Sequence, residues 1–547
     1  MGFPPGDFKS PTYAIPSPEP GAKKTTLAFA MLRRLAPAAL LLVTTAAPIS
    51  AQLGLITVPS GSLRIDIVGA FHPNDQVWVD GTKRDLGSFF DGTANPTIAQ
   101  LQSRLSSLVG QNVTGLSFGG LTAIASRDHG VGNLGAAYGL SRRITIFGYV
   151  PIVYVRSHVS TTFDPSTSRV GLNPFSTDPA LGTPGAHDGF FVPFQVALDT
   201  LKARVQHGDY AGDATKQALA QQTVTSGTAT YNSLYTLLAD PVRASPVLPI
   251  AGDPVSVQLL AKITALQSTL SDALGINVGF TQAPALPTST LSESAFNALL
   301  ASPGGLGLAS PNDLPHYGLG DMSAGVAFEL VQHGAPGVGT WQSVWLRATA
   351  RFPNATAPTP SVLLDQGTGA KHKAVQLDGI VEVGGGGVGL RAEASYLHHL
   401  PANQLTRPAA PDQLLVPPGF LAAVTTQSGD SLALSARPFF AFAPHLALTA
   451  MVEYWRRAAS STKYLTGQTP IAGVDPSLLD IGSAANALVA GIGLSYYHDG
   501  HSRDGSVSLP VEASWSVERT ITSSQGIFPV SLTSRLALRI YRPLFKR

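Results

Sequence analysis

Residues 318–330 read GLGDMSAGVAFEL. Met322, Ala324, Val326, Phe328 and Leu330 fall on one face of an extended chain. Asp321, Ser323, Gly325, Ala327 and Glu329 fall on the other. Side chains of a strand alternate between faces, so this period of two predicts a half-buried β-strand. A soluble sandwich strand carries the same signal, and recurrence decides between the two. Downstream, Val344, Leu346, Ala348 and Ala350 oppose Trp345, Arg347, Thr349 and Arg351. The alternation returns at 374–383, 388–397, 431–437, 445–455, 487–497, 507–519 and 530–541. The connections at 354–373, 398–430 and 456–486 are long, and those at 384–387 and 442–444 are short. Long and short connections in turn are the mark of up-and-down antiparallel strands with one looped end. The reading is all-β: an antiparallel up-and-down transmembrane β-barrel of about 12–14 strands with a helical insertion.

Upstream, strands are predicted at 61–71, 116–126, 131–140 and 144–158. Counting from 116 gives about 12 strands; 61–71 makes the number odd unless 76–80 pairs with it, for about 14. The strand at 144–155 is apolar on both faces. Ile144, Ile146, Val150 and Ile152 oppose Phe147, Tyr149, Val153 and Val155.

Composition agrees with a barrel. Charged residues are 13 % of the chain, against about 25 % in soluble domains. Hydrophobic residues reach 44 %, yet no mature segment has the 18 or so apolar residues of a membrane helix. Cys is 0, which excludes disulfides, thiolate metal sites and Cys nucleophiles. The net charge of +2 offers no field for nucleic acid.

Residues 31–52 read MLRRLAPAALLLVTTAAPISAQ. Arg33 and Arg34 form a basic start, 35–47 an apolar core, and Ile49 and Ala51 stand at −3 and −1 of a cleavage site. This is a secretory signal peptide, with Met31 as the expected start and Gln52 as the expected mature terminus. The organisation is a leader at 1–51, first barrel strands at 52–158, an insertion at 159–315 and the remaining strands at 316–547. A leader with alternating strands points to the outer membrane of a Gram-negative cell.

Two regions switch period. Ile98, Leu101, Leu105 and Leu108 mark an amphipathic helix at 96–109, open to placement as a plug, a loop cap or a periplasmic helix. The insertion carries helical patches at 196–205, 231–238, 255–274 and 291–300. In the third, Leu259, Ile263, Leu266, Leu270 and Leu274 share one stripe. An apolar stripe needs a partner. The favoured partner is the inward side of 144–155, at Phe147, Tyr149 and Val153, because lumen walls are otherwise polar. The alternative is an external module in which the stripe packs on sister helices.

The polar strand faces supply the candidate site. Glu329, Arg347, Arg351, Asp378, Glu382, Arg391, Glu393, Arg437, Glu453, Glu512, Glu518, Arg535 and Arg539 are the lumen-lining set. They make either a charged pore wall that selects solutes or cross-strand pairs that hold a wet interior together. No strand juxtaposes Ser and His for hydrolysis, so no catalytic residue is assigned and no enzyme is expected. His398–His399 and the pair His498 and His501 lack a third ligand, so no metal site is expected. The glycines at 384–387 lack the Lys of a phosphate loop and read as a tight turn. No cofactor is expected. Trp341, Trp345, Trp455, Trp515, Tyr154, Tyr396, Tyr454, Tyr496 and Tyr497 lie near strand ends. Some belong to interfacial girdles.

GLGDMSAGVAFEL, together with GVGNLGAAYGLSRRITIFGYVPIVY at 130–154, resembles the strand-turn-strand units of outer-membrane channels. One such group accompanies phenol-degradation pathways; the long-chain fatty-acid channels are another. The resemblance implies a passive channel for small apolar or aromatic molecules. It further implies a lipid bilayer with lipopolysaccharide, a small-molecule solute and the barrel-assembly machinery as partners, and no nucleic acid. The 159–315 insertion departs from the simple plan, as does the end RIYRPLFKR, where Lys546 and Arg547 follow Phe545. The alternative function is a barrel that anchors 159–315 as a surface binding module. The expressed protein is expected in the outer-membrane fraction, with heat-modifiable mobility in gel electrophoresis. Recovery as a folded soluble periplasmic protein would overturn the barrel.

Overall fold

A computed structural model describes residues 56–90, 95–309, 315–334, 339–443, 445–498 and 509–544. The leader, the 499–501 turn with His501, and the terminal 545–547 lie outside the described residues.

Twelve antiparallel strands close into a barrel. They are β1 Ser62–Asn74, β2 Gly120–Gly139, β3 Ile144–Asp164, β4 Met322–His333, β5 Trp341–Phe352 and β6 Ala374–Gly385. They continue as β7 Val388–His399, β8 Ser431–Ala443, β9 Leu446–Arg457, β10 Ala485–His498, β11 Val511–Thr522 and β12 Leu532–Pro543. Each strand pairs with the next in sequence, and β1 closes the ring on β12 with Asp66 opposite Arg539. Bilayer hydrocarbon offers backbone groups no water, so only a sheet without edges can cross it.

Two details differ from the sequence reading. The segments expected as strands at 116–126 and 131–140 are one strand, β2. Residues 127–130, the gap between those two expected strands, pair with 154–157 of β3 and 71–74 of β1 without a break. Gly130 is tolerated there because it faces Phe71 and Tyr154, whose rings cover it. Residues 61–71 therefore complete an even ring. Gln76–Val79 instead pairs with Thr82–Asp85 and Ile527–Val530 in a small sheet outside the barrel.

Alternation sorts the two faces. Leu346, Leu377, Val381, Leu434, Ile492 and Leu536 are exposed on the outer wall. Tyr154, Phe352, Tyr396 and Tyr454 sit on that wall toward the ends of their strands that carry long loops. Phe440 and Tyr496 sit toward the opposite end. Such rings prefer the interface between lipid and water. Trp341 and Trp345 turn inward and are buried, Trp341 against Phe439 with ring centroids 6.4 Å apart. One end of the barrel has short turns, among them Gly386 and Gly387, whose φ angles of 60° and 84° suit a two-residue hairpin. The other end carries the long loops.

β2 and β3 have 20 and 21 residues, against 12 to 14 in the other barrel strands. Their excess projects past the barrel at the loop end, about 3.3 Å per residue. The inward face of this projection is apolar: Leu121 and Ala125 on β2, Val159 and Phe163 on β3. On it sits a cap. The helices are α1 Pro96–Val109, α2 Asp188–His207, α3 Ala214–Leu238, α4 Pro254–Ser268 and α5 Glu293–Ala301. Asn95 caps α1 by accepting from the Thr97 and Ile98 amides, and Pro96 fills the first turn where no amide is needed. Asp253 does the same for α4 through Val255. Gly87 lets a short helical turn lie on β2, since a Cβ there would stand 1.8 Å from the Ala123 carbonyl oxygen.

The helix at 96–109 is thus part of the loop-end cap. Leu259, Ile263 and Leu270 bury among Leu101 and Leu105 of α1 and the other helices. Phe147, Tyr149 and Val153 do not belong to that cluster, so the expected contact between stripe and strand is overturned. The stripe finds its partner in sister helices because the cap has five of them. Phe296 of α5 ties the cap to the projecting hairpin by stacking on Phe163, centroids 4.5 Å apart.

Lipid-facing and lumen-facing positions should respond differently to charge. Leu346→Arg and Val381→Arg are each expected to lower the folding free energy in vesicles by about 2–4 kcal/mol. Thr349→Arg, which opens on the lumen, should cost much less. Equal losses on both faces, measured by urea titration, would show the register to be wrong.

Candidate functional site

The polar strand faces converge on the barrel axis. Asp66 and Arg64 alternate on β1, and the Arg64 Nε lies 2.8 Å from Asp66 Oδ1. Tyr149 of β3 donates to the other Asp66 oxygen at 2.7 Å. Arg539 of β12 reaches Asp66 at 3.7 Å and Glu512 of β11 at 3.1 Å. Tyr541 donates to Glu512 at 2.6 Å. The network bridges four strands across the seam where the ring closes.

A second network crosses β5, β6 and β7. Arg347 donates to Asp378 at 2.7 Å and to Glu393 at 2.8 Å. Gln376 donates to Asp378 at 2.7 Å and accepts from Arg351 at 2.6 Å. Arg391 donates from Nε to Glu382 at 2.6 Å. Arg535 reaches Glu518 at 3.4 Å. Most of the charges singled out in the sequence are therefore paired across strands. Arg351, Arg437 and Glu453 make no ion pair among the described residues, and Glu329 sits at the turn end, its amide bonded to the Arg143 carbonyl.

Length sorts the pairs radially. Asp66, Asp378 and Glu382 are 0 % exposed, whereas Arg347 and Arg539 keep about 30 % of their side chains open. In these pairs the short carboxylate lies against the wall, and the guanidiniums of Arg347 and Arg539 reach furthest toward the axis. The cavity they border has about 580 Å³. On its β2–β3 side, Val131, Phe147, Pro151 and Val153 are interspersed with the polar His129, Asn133 and Tyr149.

Two chain segments close this chamber. At the turn end, residues 56–60 enter the lumen. Val58 is 1 % exposed among Ala137, Phe147 and Tyr541, and its amide donates to the Thr145 hydroxyl at 2.8 Å. This is the partner for the apolar inward side of β3. At the loop end, 353–373 folds inward. The Thr368 hydroxyl donates to the Leu319 carbonyl at 2.6 Å, and Asp321 accepts from the Ala355 and Lys371 amides, both at 3.0 Å. Thr368, Gly369 and Ala370 then line the cavity.

Sequence reasoning left Arg64, Asp66, Tyr149 and Tyr541 out of the site. The alternation of Arg64 and Asp66 was visible, but it carried no weight while the place of 61–71 in the ring stayed open. Nothing in residues 56–60 announces a lumen segment. No group of three metal-ligating side chains occurs among the described residues. His398 instead bonds Asp430 at 2.9 Å.

Removing one partner from a buried pair leaves a bare charge, which costs about 3–5 kcal/mol. Arg391→Met is expected to destabilise by that amount in urea titrations, because Glu382 has no exposure. Adding Glu382→Gln should recover most of the loss. A double variant no better than the single one would show that the pair does not set the cost.

No family model matches the chain, and no curated protein matches it. Solved structures do match. An outer membrane channel from Pseudomonas putida F1 is 9 % identical, with 90 % of this chain and 99 % of that chain covered and a TM-score of 0.38. The P. putida toluene transporter TodX is 8 % identical, with 90 % and 92 % covered and a TM-score of 0.25. A Pseudomonas aeruginosa FadL homologue is 9 % identical, with 89 % and 91 % covered and a TM-score of 0.25. Outer-membrane channels, the type that the sequence motifs resemble, are among the solved structures similar to this chain.

Proposed function

We propose that the protein is an outer-membrane channel that passes small apolar or aromatic molecules down their gradients. The observation that carries this reading is the chamber inside the barrel. A closed ring of this size does not fill with side chains. What remains is a cavity of about 580 Å³ with a charged wall facing one that mixes apolar side chains with His129, Asn133 and Tyr149, within the size range of small-molecule sites. Among the described residues, the segments 56–60 and 353–373 line it toward its two ends. Short turns face the periplasm in bacterial barrels, so residues 56–60 close the periplasmic side and 353–373 the outside.

The partners follow from the same reading. The outer wall takes lipid and lipopolysaccharide, the chamber takes the solute, and the barrel-assembly machinery inserts the chain. The alternative of a separate surface module gains little support. The cap shares its hydrophobic core with Leu121, Ala125 and Phe163 of the barrel hairpin and with Leu363 and Leu364 of the loop that closes the lumen. We read the cap as the outer vestibule of the channel.

Burying an aliphatic side chain the size of valine is worth about 1.5–3 kcal/mol. Replacing Ile56 and Val58 together by serine should release the 56–60 segment by that margin. The expected result in planar bilayers is a larger and noisier conductance than that of the parent, with faster swelling of liposomes in small sugars. A parent-like conductance would remove 56–60 as the periplasmic closure. No conductance from either protein would remove the channel reading itself.

A further inference from the structure

The chamber is asymmetric in charge, and this asymmetry reaches beyond a general apolar channel. Six arginines border the cavity but only two carboxylates do, Asp321 and Glu393. Asp321 is already held by two backbone amides, and Glu393 by Arg347. Of the other wall carboxylates, Asp66, Asp378 and Glu382 are fully buried beside their arginines, and half-buried Glu453 does not border the cavity. The charge that a solute meets is therefore positive.

Two of these arginines have unspent capacity. Arg437 on β8 stands directly across from Arg391 on β7 in the strand register, and like charges in that position repel. Arg391 has Glu382 as its partner. Arg437 makes no ion pair among the described residues, and its buried Nε has no hydrogen-bond partner. Arg351 donates only to a neutral amide oxygen, that of Gln376. A guanidinium has five donors in a planar fork that matches a carboxylate in bidentate geometry. The Arg437 side chain borders the cavity, so an incoming carboxylate would meet its outer guanidinium nitrogens and offset its repulsion with Arg391.

On the facing wall, Phe147, Pro151 and Val153 accept an apolar body. We propose that the chamber binds small organic monoanions, one carboxylate on a single-ring or short apolar body, with Arg437 and Arg351 as the carboxylate-recognising residues. This rests on the channel reading above and narrows it to a substrate class. Rings of arginine favour anions in pores, and the apolar side chains opposite add the demand for a hydrophobic body. The closures at 56–60 and 353–373 limit length, so a long-chain fatty acid does not fit.

The full chain in lipid nanodiscs is titrated calorimetrically with benzoate, benzyl alcohol and benzylammonium. Benzoate is expected to bind at least about tenfold more tightly than the other two, the worth of one charge-assisted bond. R437Q should lose about that factor for benzoate and leave benzyl alcohol unchanged. R351Q is the second variant should R437Q fail to show heat-modifiable folding, with the same expectation. Palmitate should not displace benzoate. Equal binding of benzoate and benzyl alcohol would overturn the proposal, as would unchanged benzoate affinity in a folded R437Q or R351Q, or displacement by palmitate. Binding is read without conduction. A chain that binds benzoate but shows no bilayer conductance loses the channel reading and keeps the site, whereas one that conducts without preferring benzoate loses the site alone.

Discussion

Every backbone amide and carbonyl that crosses hydrocarbon must find a partner within the protein. Here that demand is met only when β1 pairs with β12, from Ser62 opposite Pro543 to Phe71 opposite Ser534. Most of the architecture follows from this seam. It brings the two ends of the described chain to the same rim. It therefore delivers the segment before β1 to the mouth of the lumen, where Val58 meets Ala137, Phe147 and Tyr541. The periplasmic closure is a by-product of ring closure rather than an added domain. The seam also carries the network of Arg64, Asp66, Glu512 and Arg539, which ties first and last strands by charge as well as by backbone.

The charged lumen is poor evidence for stability. Buried ion pairs repay their desolvation only with good geometry, and apolar replacements of similar volume often do as well. Their arrangement is more informative than their number. Aspartate and glutamate are short and stay at the wall; arginine is long and reaches inward. A ring built from such pairs is nearly neutral in total, yet positive at the axis. A field of that form would let the proposed channel select solutes without a net charge on the protein.

The fold class was legible because alternation is a local signal that repeats. Ten strands from β3 to β12 could be located from period and loop rhythm alone, whereas the expected count of about 12 split β2 in two and left 61–71 outside the ring. The failures were of two kinds. Residues 127–130 of β2 contain Arg127, Asp128, His129 and Gly130, a polar run in the gap between two expected strands. It is a strand because it is paired on both sides, with 71–74 of β1 and 154–157 of β3. The partner of the α4 stripe was misassigned because an apolar face says only that something covers it. Sister helices and the inward side of β3 were equally acceptable by pattern, and only three-dimensional placement chose between them.

The two closures of the chamber differ in kind, and the difference gives the channel a direction of weakness. The loop-end segment is fixed by Thr368, by both oxygens of Asp321 and by the Ser157 hydroxyl donating to the Leu364 carbonyl at 2.9 Å. Leu364 and Lys371 hold φ angles of 55° and 53°, a left-handed conformation that residues with a Cβ adopt at a cost. Such strain persists only where the surroundings over-determine the backbone, so this segment is a rigid part of the outer mouth. The 56–60 segment inside the lumen is held by the burial of Val58, by the bond of its amide to Thr145 and by the backbone bridge of Ser60 with Gly139. Apolar burial is non-directional and is regained in many positions, whereas a hydrogen-bonded strained loop must be rebuilt as a whole. On the proposed channel reading, the turn-end segment, which carries no such strain, is therefore the one that opens first.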